Sequence, residues 1–217
     1  MDFAGAYSWP YVRFLLEGFM LTLQVAIVAI VLSFVVGIIL GTARYTRFPV
    51  LTQVVAVIVD TIRNLPLFLI ILVTYLILPQ FGIEMPVFWA AVTGLTVFEG
   101  CMIAEIVRGG LNSIDKGQIE AARSSGLTYF QTLRLIILPQ ALRRMIPPLV
   151  SQSISLLKDT SLAVAISLPE LMNHVRIVGG QNPAFYLPAI IFAAILYFIV
   201  NYSLSRFARR LETRVDA

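Results

Sequence analysis

Charge is scarce in this chain. Only 13% of its 217 residues are Asp, Glu, Lys or Arg, where a soluble domain carries about 25%; 59% are hydrophobic, and mean hydropathy is +0.87. That balance excludes one ordinary buried core and leaves a polytopic membrane protein. Cysteine is nearly missing. Cys101 stands alone in an apolar run, which excludes an internal disulfide and reads as a small packing residue. The single histidine, His174, falls in an expected outer loop and reads as a solvated loop residue, so no metal site is expected. No G-x-x-x-x-G-K-[ST] phosphate loop, H-E-x-x-H or G-x-S-x-G occurs, so neither a nucleotide site nor an intramembrane hydrolase is supported. The N-terminus lacks a basic stretch and the first apolar run is too long for a leader, so no cleavable signal is expected. With no repeat and no low-complexity tract, residues 1–217 read as a single domain.

What is present is long apolar runs. A helix needs about 20 apolar residues to cross the hydrocarbon core, and five segments qualify: about Phe14–Ala43, Val50–Leu78, Pro86–Ile106, Pro148–Leu168 and Tyr186–Phe207. The fold expected is an all-α membrane protein with five transmembrane helices.

The net charge of +4 follows membrane topology rather than a nucleic-acid surface. With the N-terminus outside, the inner ends carry Arg44, Arg47, Arg108, Lys116, Arg123, Arg134, Arg143, Arg144, Arg206, Arg209, Arg210 and Arg214. The outer ends carry only Arg13 and Arg176. The C-terminus and the loop at about 109–147 are then cytoplasmic. Trp9, Tyr11, Phe88, Trp89, Phe185 and Tyr186 suit an interfacial aromatic belt at the outer boundary.

The loop between the third and fourth segments is dense with helix punctuation. Asp115 and Gln118 fit a capping box, with Ile114 and Ile119 as its hydrophobic staple. That helix should end near Ser125, with Gly126 in the left-handed position after it. Thr128 and Gln131 make a second box, opening a helix expected to stop before Pro139. The outcome is a helix-turn-helix projecting from the membrane. Ala121 and Ala122 keep one face thin, and Glu120 and Arg123, one turn apart, pair with each other or with a partner.

Polar residues within the apolar segments are costly and face protein or water. In the fourth segment Ser151, Ser155 and Lys158 share a face, beside Gln152 and Asp159. This stripe, continuing to Thr160, reads as one wall of a substrate path, or else as a structural hydrogen-bond network with an internal ion pair. In the second segment Asp60 and Arg63 precede Asn64-Leu65-Pro66, where Pro66 breaks the helix. Arg63 either holds a substrate carboxylate or pairs with Asp60. In the third segment Glu105 has a local partner in Arg108. Glu99 has none, and is the leading candidate to contact a cationic group.

The stretch Glu120-Ala121-Ala122-x3-Gly126-x9-Ile136-x-Leu138-Pro139 resembles the coupling loop of permease subunits of bacterial ATP-binding-cassette importers. The chain as a whole is similar to the branch serving histidine, arginine, glutamine and glutamate. Arg63-Asn64-Leu65-Pro66, Ala104-Glu105-Ile106-Val107-Arg108-Gly109-Gly110 and Lys158-Asp159-Thr160-Ser161-Leu162 match further elements of that pattern. The resemblance looks closest to glutamine permeases. It implies a type I importer permease fold and a place in the bacterial cytoplasmic membrane. It implies a path formed with a second permease, identical or paralogous. Two copies of an ATPase would bring the ATP and Mg that this chain has no site for, and an extracytoplasmic binding protein would deliver the amino acid. In that scheme Ala121 and Ala122 fill a groove in the ATPase, Gly126 sets the turn, and Glu120 contacts the rim, with Arg123 beside it. The path is lined by Arg63, Glu99, Ser155, Lys158, Asp159 and Thr160, while Pro66, Glu105, Arg108 and Pro139 are structural. The residues alone leave two rivals, a secondary transporter driven by an ion gradient and a non-transporting membrane scaffold.

Overall fold

The computed structural model describes residues 1–45 and 48–215, those from 209 onward by their backbone course alone. Arg47 and the side chains of Arg209, Arg210 and Arg214 lie outside the described residues. Regular structure among the described residues is helical. A short α1 (Phe3–Ala6) leads into α2 (Trp9–Tyr45). Next come α3 (Pro49–Arg63) and α4 (Leu67–Leu72), then α5 (Val87–Asn112), α6 (Lys116–Ser124), α7 (Tyr129–Thr132) and α8 (Leu138–Asp159). A 3-10 segment, Thr160–Ile166, leads to α9 (Leu171–Gln181) and α10 (Pro183–Val215).

Three of these, α2, α5 and the part of α10 from Pro183 to Ala208, are long and apolar enough to cross a membrane. The pair α3 and Leu67–Phe81 would make a fourth crossing and is bent by 99°. The bend sits where Pro66 was expected to break the chain. Asn64 closes α3, its side-chain amide donating to the Asp60 carbonyl at 2.7 Å. Leu65 precedes a proline and so leaves the helical region, and Pro66 restarts the chain as the cap of α4.

Apolar burial supplies no drive between helices in lipid, so close packing and hydrogen bonds must do the work. The α2–α5 seam shows how. A Cβ at Gly37 would lie 2.4 Å from Ile103, and one at Gly41 would lie 2.6 Å from the Ala104 carbonyl oxygen. This pair, one turn apart on α2, lets α5 press against backbone, and Gly100 repeats the device from the other side against Val36. The pairing runs 37 to 103 and 41 to 107, so α2 and α5 are parallel. α8 returns antiparallel along α5, from Met145 at Gly110 to Gln152 at Glu99. Each helix pair thus has a beginning at the Trp9 end or the Tyr45 end of the bundle.

The fourth segment differs from expectation in its start. The helix begins at Leu138 rather than near Pro148 and passes through Pro147 and Pro148. It also passes Pro139, which was expected to end the preceding helix. The reason is a π turn, Leu133–Ile137, in which the Leu138 N–H reaches back to the Leu133 carbonyl. The widened turn accommodates a proline ring that would collide with the carbonyl four residues earlier in an α-helix.

The outer loop is also more structured than expected. Its residues form α9, whose buried face includes His174, Val175 and Val178. His174 is not solvated: its ring stacks on Phe14 with centroids 3.8 Å apart, and Nδ1 lies 2.6 Å from the Phe14 carbonyl oxygen. That nitrogen therefore carries the proton. Glu170, fully buried, caps α9 by accepting from the Asn173 and Met172 N–H groups at 2.8 and 2.9 Å. Thr22 of α2 accepts from the next free donor, the Leu171 N–H, at 3.1 Å. All three anchors lie far from α9 or its neighbours in sequence pattern, so the apolar periodicity carried no sign of them.

Candidate coupling hairpin and polar pathway

At the Tyr45 end, α6 and α7 form the helix-turn-helix that the loop punctuation called for. Asp115 caps α6 by accepting from the Gly117 N–H at 2.6 Å. The first capping box is not closed. Gln118 instead uses its side-chain oxygen to accept from Gln140 at 2.6 Å. The staple residues do meet: Ile114, buried, and Ile119 join a cluster with Leu133, Ile137 and Ala141. Gly126 has φ +86°, and the Leu127 and Gly126 N–H groups bond the Ala122 and Arg123 carbonyls at 3.2 and 3.1 Å. This is a Schellman turn, which an L side chain at position 126 would strain. The second capping box is complete: Thr128 accepts from the Gln131 N–H at 3.2 Å, and Gln131 accepts from the Thr128 N–H at 2.8 Å.

The two alanines separate. Ala121 faces outward, whereas Ala122 is 8% exposed and packs inward. The outward rim at this level is Glu120, Ala121 and Arg123. Arg123 does not pair with Glu120; its guanidinium donates to the Leu127 carbonyl at 2.7 Å, across the Gly126 turn.

Inside the bundle the structure sorts the polar residues into two groups. At the Tyr45 end Arg44, Asp60, Arg63, Glu105 and Arg108 form one ionic network. Arg44 reaches Glu105 at 2.8 Å and Asp60 at 3.1 Å. Arg63 lies 3.8 Å from Glu105 and 3.7 Å from Asp60. Arg108 closes the network on Glu105. The local pairs at i, i+3 are present as expected. Arg44 was counted only as an inner basic residue, yet it is the cation that ties α3 to α5. A basic residue ending one apolar segment and a carboxylate inside the next was the only available signal.

Glu99 is in the second group, apart from all of these cations. It is fully buried, and one carboxyl oxygen accepts from the Gln152 amide at 2.6 Å. Its other oxygen has no hydrogen-bond partner, and the Asp159 carboxyl is its nearest charged neighbour. Neither Arg63 nor Lys158 comes to it. Lys158 is exposed, with no carboxylate in ion-pair range among the described residues. It opens onto a groove of about 290 Å³ lined by Ser161, Met172, Ile190, Ala193, Ala194 and Tyr197. Ser155 is half-buried beside the same helix face, while Thr160 is buried and spends its hydroxyl on the Leu157 carbonyl at 2.7 Å. The expected stripe therefore splits: Gln152 and Asp159 turn toward α5, and Lys158 turns toward α10.

Comparison with known proteins places this geometry. Residues 33–217 match the model of a family described as the binding-protein-dependent transport system inner membrane component. The probable glutamine ABC transporter permease protein of Bacillus subtilis is 59% identical over 216 residues, covering 99% of each chain. The glutamine transport system permease protein of Escherichia coli K12 is 35% identical, again over 99% of each chain. Among solved structures, a chain of an amino acid ABC transporter crystallised with histidines superposes with a TM-score of 0.91 at 29% identity, covering 99% of both chains. With helices long enough to span the membrane and a capped hairpin at one end, the chain belongs to the family of inner membrane components of binding-protein-dependent transport systems.

Proposed function

We propose that this chain is the permease subunit of an ATP-driven amino-acid importer whose preferred cargo is glutamine, with glutamate next. The observation that carries the reading is the near full-length similarity to glutamine permeases in a chain that keeps the complete Glu120-to-Pro139 element. Residues 1–217 act as a single transmembrane domain that pairs with a second permease, the same chain or a paralogue. Two ATPase subunits dock at the hairpin and supply ATP and Mg, for which this chain has no site of its own. An extracytoplasmic binding protein delivers the amino acid.

Five crossings are proposed, with α8 as the fourth. It has 22 residues, about 33 Å at the rise of an α-helix, enough for a core of about 30 Å. Its polarity is supported by its position against α5. The N-terminus lies outside and the C-terminus inside, in the bacterial plasma membrane. This puts the hairpin in the cytoplasm, where the ATPase is.

A docked ATPase meets Glu120, Ala121, Arg123 and the Gly126 turn, with Ala122 holding the helix to its own chain. Because both ends of the hairpin are capped and its turn is bonded, a push on α6 moves the whole unit instead of bending it. In the path, Lys158 is placed to hold the carboxylate of a zwitterionic amino acid, while Glu99 and Asp159 carry the opposite sign toward the ammonium. Arg63, held between Asp60 and Glu105, serves the network, and Ser155 and Thr160 complete the wall on either side.

The test is uptake of labelled amino acids into vesicles holding this chain with its ATPase and binding protein. ATP-dependent uptake displaced best by unlabelled glutamine is the expected outcome. Uptake that ignores ATP and collapses with a proton or sodium gradient would overturn the reading.

A further inference from the structure

The sequence Leu76-Ile77-Leu78-Pro79-Gln80 has a near copy in Ile136-Ile137-Leu138-Pro139-Gln140. The structure treats both alike. Each is preceded by a π turn, Val73–Ile77 and Leu133–Ile137, and in each the leucine N–H reaches back five residues. In each the glutamine amide donates to the carbonyl four residues earlier: Gln80 to Leu76 at 3.2 Å, and Gln140 to Ile136 at 3.0 Å. One feature separates them. Gln140 makes a second bond, to the side-chain oxygen of Gln118 on α6, at 2.6 Å. Gln80 makes no such link among the described residues.

We infer that Gln140 is a positioning residue that carries movement of the hairpin into α8. The inference rests on the reading of the hairpin as the ATPase-docking element. A π turn followed by proline is a weak point in a helix, since one N–H is missing and the turn is wider than its neighbours. On one side of it stands a hairpin stiffened by the Thr128–Gln131 box and the Gly126 turn. On the other stands α8, which carries Gln152, Lys158 and Asp159. The backbone joint between them is soft, so backbone alone transmits displacement poorly. Gln140 bridges the joint: one amide nitrogen holds the Ile136 carbonyl inside the π turn and the Gln118 side chain on α6. A shift of α6 therefore pulls on the first turn of α8. Arg144, which donates to the Ser113 carbonyl, and Met145, packed on Gly110, hold the next turn of α8 to the end of α5. That turn becomes the pivot.

The experiment measures labelled glutamine taken up per ATP hydrolysed, in vesicles holding the complete transporter and its binding protein. Gln140→Ala is expected to lower this ratio about fivefold, the lower end of couplings between sites, while hydrolysis continues. Gln118→Ala lowers it similarly, and the double variant falls no further than either single one, because both remove the same link. Gln140→Glu keeps a partner for the Gln118 amide but offers no donor to Ile136, and recovers part of the ratio. Gln80→Ala, the same local turn without the second bond, leaves the ratio unchanged. An unaltered ratio in Gln140→Ala overturns the inference. So does a proportional loss of uptake and hydrolysis, or an equal drop in Gln80→Ala. Ala121→Trp separates this from the underlying reading. If it releases the ATPase while Gln140→Ala keeps the wild-type ratio, only the link fails. If it retains both the ATPase and normal transport, the docking reading fails and the link fails with it.

Discussion

Glu99 and Glu105 sit on one helix and live in opposite surroundings. Glu105 has Arg44, Arg63 and Arg108 around it, with Asp60 sharing the load, and its side chain is 25% exposed. Glu99 is fully buried and has a single amide for company. The first arrangement suits a brace. Several charges of both signs, each with more than one partner, tie the ends of α2, α3 and α5 together and tolerate the loss of one contact. The second suits a site. A carboxyl with one free oxygen and no cation within the described chain is an incomplete group, and such groups are retained where a ligand or a moving element completes them.

Substitutions can break this comparison, and the largest effect is expected at Glu99. Glu99→Leu leaves the Gln152 amide facing an apolar side chain, a loss of about 1–3 kcal/mol for a buried unpaired group. Uptake should fall about tenfold or more while Glu99→Gln, which keeps a hydrogen bond, assembles normally and changes the competition ranking. If Glu99→Leu and wild type transport alike, the residue is only packing.

Next in size is Glu105→Gln. Three guanidinium groups would then share Asp60, and thermal stability of the purified chain should drop by about 1–2 kcal/mol, between a surface pair and a fully buried one. Selectivity among amino acids should not change, because the residue braces and does not touch cargo. A changed ranking in a competition assay would erase the distinction between the two carboxyls.

Arg44→Met is smaller again. Arg63 and Arg108 remain, so the expected cost is about 1 kcal/mol or less. A double-mutant cycle with Asp60→Asn should show the two sites coupled. Additive losses would mean that Arg44 and Asp60 are neighbours without being partners.

The smallest effect is that of salt. Raising ionic strength screens partly exposed charges more than buried ones. Stability differences at Glu105 and Arg44 should shrink at high salt, and those at Glu99 should hold. Equal screening at both positions would argue that water reaches Glu99 as freely as the network.

Much of this was legible from residue types. The apolar runs, the break at Pro66, the cap at Asp115, the Thr128–Gln131 box and the left-handed Gly126 all follow from short-range rules that act within a few residues. The misreadings share one cause. Pro139 looked like a helix end because the rule assumes an α turn before it, and a π turn was there instead. Gln118 looked like half of a capping box because Gln140, distant in sequence, was not yet known to be beside it. His174 looked solvated because its loop is polar, though Phe14 and Gly18 of α2 form its pocket.

By itself, then, the sequence determined that the chain is a membrane protein, where its helices punctuate, and which family grammar its polar loop follows. These depend on composition and on neighbours along the chain. Only the tertiary structure decided which charges pair, that Arg44 binds α3 to α5, that Ala122 turns inward, and that Glu99 meets Gln152 while Lys158 faces α10. A side chain's partner across the bundle is set by the crossing and rotation of whole helices. Those are fixed by close contacts such as Gly37 on Ile103, summed over residues far apart in the chain.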